Sequence, residues 1–283
     1  MLNITQAIRQ ASELLAGHSD SARLDAEVLL AHTLNCDITH LIAWPEKKLD
    51  DKQTQTFNAL ITQRRQGIPV AYLTGSKEFW SLDFKVTPAT LIPRPDTELL
   101  VEFVLEKFSD QKQLQLADLG TGSGAIAIAI ASERPNWKII ATDISTDALT
   151  IAKENAGIHK ITNITFIQSN WFNQIDQYRF DLILSNPPYI AKQDPHLVQG
   201  DVRFEPQSAL ISGITGMDDI EAITAQSKNY LKPDGWLIFE HGFDQKHQTL
   251  NCLQRHDFHT ITQLHDLSGQ PRITAGCRSI YTE

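Results

Sequence analysis

Three short stretches hold residues whose types could do chemistry together. "FDLILSNPPYI" ends a strand-like run in Asn186, Pro187, Pro188 and Tyr189; "LADLGTGSGAIAIA" sets Asp118 and the glycines Gly120, Gly122 and Gly124 between an apolar run and a helical one; "KIIATD" ends in Asp143. The two prolines carry no N–H, and each pushes the residue before it into extended geometry. The segment therefore offers mainly acceptors, the Asn186 side-chain oxygen and main-chain carbonyls, held stiffly. Such a cradle suits a planar NH₂ with its two N–H donors, and Tyr189 can stack on a flat amide or base. A nitrogen of this kind is hard to alkylate, because its lone pair is delocalised on the scale of the ~18–20 kcal/mol barrier to amide rotation. Aiming it while both N–H groups are held aside is proximity catalysis. Acceptors that stabilise positive charge developing on nitrogen add about 3 kcal/mol per well-placed bond. Asn186, Pro187 and Tyr189 are the expected catalytic group; no side chain is identified as proton acceptor, and loss of the proton to water suffices.

The glycine stretch fits two ligands. Gly120, Gly122 and Ala125 satisfy the dinucleotide pattern, and an acid ending the next strand, Asp143, can grip ribose hydroxyls in a nicotinamide dinucleotide or in adenosylmethionine. Asp118 separates the two. A carboxylate beside a helix N-terminus is a poor neighbour for pyrophosphate and a good one for a cationic amino-acid tail or a sulfonium. Adenosylmethionine is therefore the expected cofactor. Trp171, just past a later strand, either covers the adenine or belongs to the core.

These residues need a scaffold, and the pattern supplies one. From Leu114 the text alternates strand and helix, "LQLADLG", "GAIAIAIASE", "KIIATD", "STDALTIAKENAG", "NITFIQS", "FDLILSN", a helix near Asp218 to Tyr230 and "GWLIFEHG". That order predicts an α/β fold with a parallel sheet covered by helices on both faces. The closing stretch, "HTITQLHDLSGQPRITAGCRSI", has two strand-like runs and only a loop between them, so the last strand is expected antiparallel, at or near an edge. Upstream, residues 1–75 read as a small helical docking domain. Its first helix carries Ile4, Ala7, Ile8, Ala11, Leu14 and Leu15 and stops at Gly17; a second has Leu24, Val28 and Ala31 on one stripe behind an Asp20 or Ser21 cap; a third carries Phe57, Leu60 and Ile61. Residues 76–94 form a hairpin linker, in which "EFWSLDFKV" alternates Trp80, Leu82, Phe84 and Val86 on one face. The methyl-transfer domain is expected over 95–283, opening with a helix from about Asp96.

Composition narrows the partners. With 25 Lys plus Arg against 34 Asp plus Glu, the net charge of -9 disfavours nonspecific nucleic-acid binding. The three cysteines, Cys36, Cys252 and Cys277, are scattered without metal-ligand spacing, so neither a disulfide framework nor a metal is expected. "MLNITQAIRQASELL" lacks the basic head and apolar run of a signal peptide, and no run is long enough to span a membrane; the expectation is a cytoplasmic protein.

Taken together, "DLGTGSG", "NPPYI", "LIPRPDTE", "DVRFEPQSAL" and the N-terminal "RLDAEVLLAH" resemble the release factor glutamine methyltransferases, the HemK family, over nearly the whole chain. The resemblance implies a class I adenosylmethionine-dependent methyltransferase fold, a mostly parallel seven-stranded sheet with an antiparallel last strand, plus the helical N-terminal domain. It implies that Gly120, Thr121, Gly122, Ser123 and Gly124, with Asp143, Trp171 and Asn186, bind S-adenosyl-L-methionine, that Asn186 to Tyr189 hold the target glutamine, and that Arg94 lines the substrate side. The implied partner is a class-1 peptide chain release factor, methylated on the glutamine of its Gly-Gly-Gln motif. Rival readings keep the chemistry and change the substrate to a ribosomal-protein glutamine or a DNA or RNA base. A dehydrogenase leaves the NPPY segment unexplained, and a silent interaction module leaves the pair Asp143 and Asn186 unexplained.

Overall fold

In the computed structural model, which describes residues 1–278, the chain divides into two compact units. The first takes Met1–Ser76 together with Val198–Phe204. It opens on α1 (Ile4–Leu15), capped reciprocally: Asn3 Oδ1 accepts from the Gln6 N–H at 2.8 Å and Gln6 Oε1 accepts from the Asn3 N–H at 3.1 Å. There follow α2 (Ala22–Leu34), α3 (Ile38–Ala43), α4 (Asp51–Arg65) and α5 (Val70–Thr74). Ile4, Ala7, Ala11 and Leu15 of α1 meet Ala26, Leu29 and Leu30 of α2 and Phe57 and Ile61 of α4 in one apolar cluster.

Two expectations fail here. Leu14 and Leu24 are 50% and 54% exposed, and the buried face of α2 carries Asp25, Ala26, Leu29 and Leu30 beside Ala31, the one residue of the expected stripe that is buried. Ser21 makes no cap bond; its hydroxyl donates to Asp25 Oδ1 at 2.8 Å. The cause is an ion pair placed inside the unit. Arg64 Nε donates to Asp25 Oδ2 at 2.6 Å and Arg64 Nη1 to Asp201 Oδ1 at 2.7 Å, with Asp25 and Arg64 both buried. Burying an acid on α2 demands this cation, and the pairing turns the helix so that Leu24 faces water. Asp201, joined by Arg203 donating to the Gln66 carbonyl at 2.9 Å, is why a segment from far along the chain belongs to this unit.

The second unit takes Lys77–Leu197 and the chain from Glu205 onward. It starts with a hairpin, β1 (Ser76–Phe79) and β2 (Leu82–Lys85). Trp80 and Ser81 turn it with φ of 54° and 57°, which reverses the phase of the alternation: Phe79 and Phe84 are both buried, edge to face with ring centroids 6.1 Å apart, while Trp80 and Leu82 are only half-buried. After a 3₁₀ turn over Pro95–Thr97 the order is α6 (Glu98–Lys107), β3 (Gln115–Leu119), α7 (Ala125–Glu133), β4 (Lys138–Asp143), α8 (Thr146–Ile158), β5 (Ile164–Gln168), β6 (Phe180–Ser185), α9 (Asp218–Ser227), β7 (Leu231–Glu240), α10 (Lys246–Arg255), β8 (Phe258–His265) and β9 (Pro271–Arg278).

Among the described residues these make one seven-stranded sheet in the order β5-β4-β3-β6-β7-β9-β8. β9 runs antiparallel to both its neighbours, and the rest of the pairings are parallel. The last strand is thus antiparallel as expected and lies one place in from the edge; Ser279 and Ile280, the end of its sequence run, lie outside the described residues. The alternating "AIAIAIA" of α7 is buried on every side from Ala125 to Ala131, the signature of a helix wedged wholly inside. No helix among the described residues is long and apolar enough to cross a membrane. The feature that builds a site is the register at the middle of the sheet. Leu119 pairs with Thr142 on one side and Ser185 on the other, so Gly120, Asp143 and Asn186 leave the sheet side by side, at the point where the strand order reverses.

Candidate active site

Gly120 begins the turn after β3 with φ of 74°, and its N–H donates to the Thr142 carbonyl at 2.9 Å. A Cβ there would stand 3.3 Å from the Trp171 ring, so only glycine lets the backbone run under that indole unstrained. Gly124, φ 85°, closes the turn; a Cβ would come 2.9 Å from Ile128 and 3.2 Å from Ala152. Asn155 of α8 holds the turn from behind, its Nδ2 donating to the Ser123 carbonyl at 2.9 Å and to the Lys85 carbonyl at 3.0 Å while Oδ1 accepts from the Lys85 N–H at 2.8 Å. Thus the hairpin and the glycine turn share one buried clamp.

Two acids stand at this turn. Asp143 Oδ2 accepts from the Gly122 N–H and Oδ1 from the Ser145 N–H, both at 2.9 Å. Burial raises its pKa against amide donors from Ser145, Gly122 and Ile144, and the carboxylate keeps acceptor capacity for a further donor. Asp118 is different. It is wholly buried behind the turn and does not line the cavity; Oδ2 accepts from the Thr121 hydroxyl at 2.6 Å, and Oδ1 has no partner among the described residues. Burial pushes this carboxyl up to about 7.

Gly120, Gly122, Asp143, Trp171, Asn186 and Pro188 line a common cavity of about 390 Å³, completed from other loops by residues such as Leu91, Ser169 and Ile211. Trp171 packs against the core beneath the sheet and also forms cavity wall, beside Asp219, another wall residue. On the facing side, Asn186 Nδ2 donates to the Thr97 hydroxyl at 3.3 Å, and no hydrogen bond falls on its Oδ1 among the described residues. Ser185 ties the end of β6 to β3 by donating to the Leu119 carbonyl at 2.8 Å.

Not every expected residue reaches this cavity. Pro187 and Tyr189 are not in its wall; the Tyr189 hydroxyl points at Glu240 Oε1, 3.5 Å away, and its carbonyl accepts from Gln245 Nε2 at 2.9 Å. Burial beside Glu240 raises the phenol pKa well above its usual range. Arg94 is likewise off the wall: it pairs with the buried Glu205, whose other oxygen accepts from the Ile92 N–H at 3.1 Å, which pins the proline-flanked loop. Thr97 and Glu240 were not legible as site residues. Glu240 sits in an apolar strand and Thr97 in a helix-start pattern, and only tertiary contact brings them behind Asn186.

The cavity fits the expected cofactor on its own terms. It offers a carboxylate at the end of β4 with acceptor capacity to spare, and a glycine floor beneath an aromatic wall. Comparison with known proteins agrees. A family model described as PrmC N-terminal domain matches residues 6–75, and one described as methyltransferase small domain matches residues 96–202. The solved T. thermophilus 16S rRNA N2 G1207 methyltransferase, in complex with AdoMet and guanosine, matches with a TM-score of 0.55 at 16% identity over 72% of this chain and 49% of that one, which speaks to fold alone. The chain is 46% identical to the release factor glutamine methyltransferase of Aliivibrio fischeri over 95% of this chain and 94% of that protein. It is 48% identical to that of Escherichia coli K12 over 91% and 93%. Likeness of this depth across both units means that the chain belongs to the release factor glutamine methyltransferase family.

Proposed function

We propose that this chain transfers a methyl group from S-adenosyl-L-methionine to the side-chain amide nitrogen of the glutamine in the Gly-Gly-Gln motif of class-1 peptide chain release factors, in the cytoplasm. The observation that carries this is the register of the central strands, which delivers Gly120, Asp143 and Asn186 to one cavity with Asn186 Oδ1 free to accept. The cofactor supplies an electrophilic methyl group on a sulfonium, so no protein nucleophile is needed.

The chain's own residues bind and orient. Asp143 takes the ribose hydroxyls, Asp118 supplies negative charge from behind the turn without touching the cofactor, and Thr121 and Ser123 belong to the turn that cradles the cationic tail, with Trp171 covering the ring. Asn186 Oδ1 accepts one N–H of the substrate amide, holding the nitrogen towards the methyl carbon. The same acceptor stabilises the positive charge that develops there, and this term is worth about 3 kcal/mol for one well-placed bond. Pro187 and Pro188 keep the Asn186 backbone from relaxing, and Tyr189 braces the segment from its buried side. The methylated nitrogen loses its proton to water. Arg94, paired with Glu205, shapes the substrate loop, and the helical unit docks the release factor.

The test offers labelled adenosylmethionine with, in parallel, an unmethylated class-1 release factor, a ribosomal protein pool, DNA and RNA. Label on the Gly-Gly-Gln glutamine, located by mass spectrometry and lost in Asn186→Ala, is expected. Label confined to ribosomal protein or nucleic acid would replace the proposed substrate.

A further inference from the structure

Asn186 is held at one end by β6, and the chain after it has little means of holding itself. Pro187 and Pro188 bring no N–H to any partner, and among the described residues the first main-chain hydrogen bond after Asn186 falls on the Tyr189 carbonyl. Its donor is a side chain. Gln245, buried just ahead of α10, donates from Nε2 to that carbonyl at 2.9 Å and to the Gly216 carbonyl at 3.1 Å, while its Oε1 accepts from the Gly242 N–H at 2.9 Å. Two carbonyls at one end of the amide and an N–H at the other leave it one orientation, because a flipped amide would set oxygen against oxygen twice. Gly216 packs on the same bond. Its φ is 78°, and a Cβ there would stand 2.3 Å from the Tyr189 oxygen and 2.7 Å from Gln245 Nε2. The loop that follows β7 is thereby tied to the turn that follows its neighbour β6.

We propose that Gln245 is a positioning residue for methyl transfer. By holding the Tyr189 carbonyl it fixes the far end of the turn over residues 186–189, and with it the aim of the Asn186 oxygen and the stretch of cavity wall formed by Pro188. The prolines make this span stiff, so a shift at Tyr189 is carried to Asn186 instead of being absorbed between them. Stiffness sets a position only when both ends are held. Strand register holds one end and Gln245 the other, and a misplacement of about 1 Å at a reacting group can cost about 10²-fold in rate. This rests on the role given above to Asn186 as acceptor for the glutamine amide.

Methylation of the release factor is measured for the full chain and for Gln245→Met, Gly216→Ala and the variant carrying both changes. Calorimetry gives the cofactor affinity and the fraction of chains that bind. Gln245→Met keeps the length of the side chain and removes its hydrogen bonds; Gly216→Ala crowds the same carbonyl from an independent residue. In each single variant kcat per binding-competent chain is expected to fall roughly tenfold to a hundredfold, with KM for the release factor and cofactor affinity within about threefold of the parent. Since both changes act on one carbonyl, the double variant should be no slower than the poorer single one. A brace that served folding alone would lower the melting temperature and the competent fraction and leave kcat per competent chain at the parental value.

Parental kcat in Gln245→Met or in Gly216→Ala, a loss confined to cofactor affinity, or losses that multiply in the double variant would overturn the assignment. If Gln245→Met does not fold, Gly216→Ala decides alone. A parent chain that leaves the release factor glutamine unmethylated would instead overturn the proposed substrate, and the same variants would then be compared on whichever substrate takes the label.

Discussion

Asp143 Oδ2 accepts from the Gly122 N–H at 2.9 Å, so the acid that ends one strand also holds the turn that follows its neighbour. The proposed cofactor grip and the observed loop shape therefore rest on one carboxylate. Asp143→Ala removes the bonds from Gly122 and Ser145 along with those to ribose. Cofactor affinity is expected to fall by roughly tenfold to a hundredfold, at about 1.5–3 kcal/mol for hydrogen bonds to a charged group. Titration calorimetry measures it directly, and unchanged affinity would refute the assignment.

Asn186→Ala separates binding from chemistry. Removing a preorganised acceptor is expected to lower kcat by about 10²–10³-fold while cofactor affinity stays within roughly threefold. Single-turnover methylation at saturating cofactor makes the comparison. Turnover at the parental rate would mean that the acceptor cradle plays no part.

Burial raises the Asp118 carboxyl to about 7, directly behind the turn proposed to carry the cofactor's cationic tail, so cofactor binding is expected to depend on pH. A folded-state pKa raised above the usual carboxylate range means that the free protein holds a proton that an exposed acid would have lost, and the folded state is penalised as pH rises from that range towards 7. A cation beside Asp118 favours the ionised form, so affinity should strengthen as pH rises through about 7. Calorimetry in buffers of different ionisation heat should then show about one proton released per binding event near pH 6 and about none near pH 8.5. In Asp118→Asn that proton release should vanish; its persistence would move the linkage to another group.

Arg64→Ala leaves Asp25 buried without its cation. The expected cost is about 3–5 kcal/mol in the stability of the helical unit, because an uncompensated buried charge loses solvation as well as its partner. Arg64→Lys, which keeps the charge but cannot span Asp25 and Asp201 together with the same fork, should fall between. Chemical denaturation followed by far-ultraviolet dichroism reports both, and a neutral Arg64→Ala would show that the pair is incidental.

The site was legible to the extent that its requirements are local. A positive φ at Gly120 and Gly124, and a proline-stiffened Asn186, must be written into adjacent residues, because no distant contact can supply a missing Cβ clearance or remove an N–H. The strand and helix periods likewise name the sheet and place the three motifs at strand ends. Sequence by itself therefore determined the fold class, the glycine turn and the asparagine at the rim.

Which residues stand behind that rim was decided by tertiary structure. Thr97 lies 89 residues from the Asn186 that donates to it, and Tyr189 lies 51 from the Glu240 it faces. Arg64 is 137 residues from Asp201, and that pair carries Val198–Phe204 into the helical unit, across the boundary read from sequence. The buried pair of Asp25 with Arg64 also outweighed the apolar stripe that would have turned Leu24 inward. The physical reason is common to all of these. A polar side chain becomes a partner only when burial removes water as its competitor, and burial follows from strand register and helix packing, which bring together residues that no local pattern links.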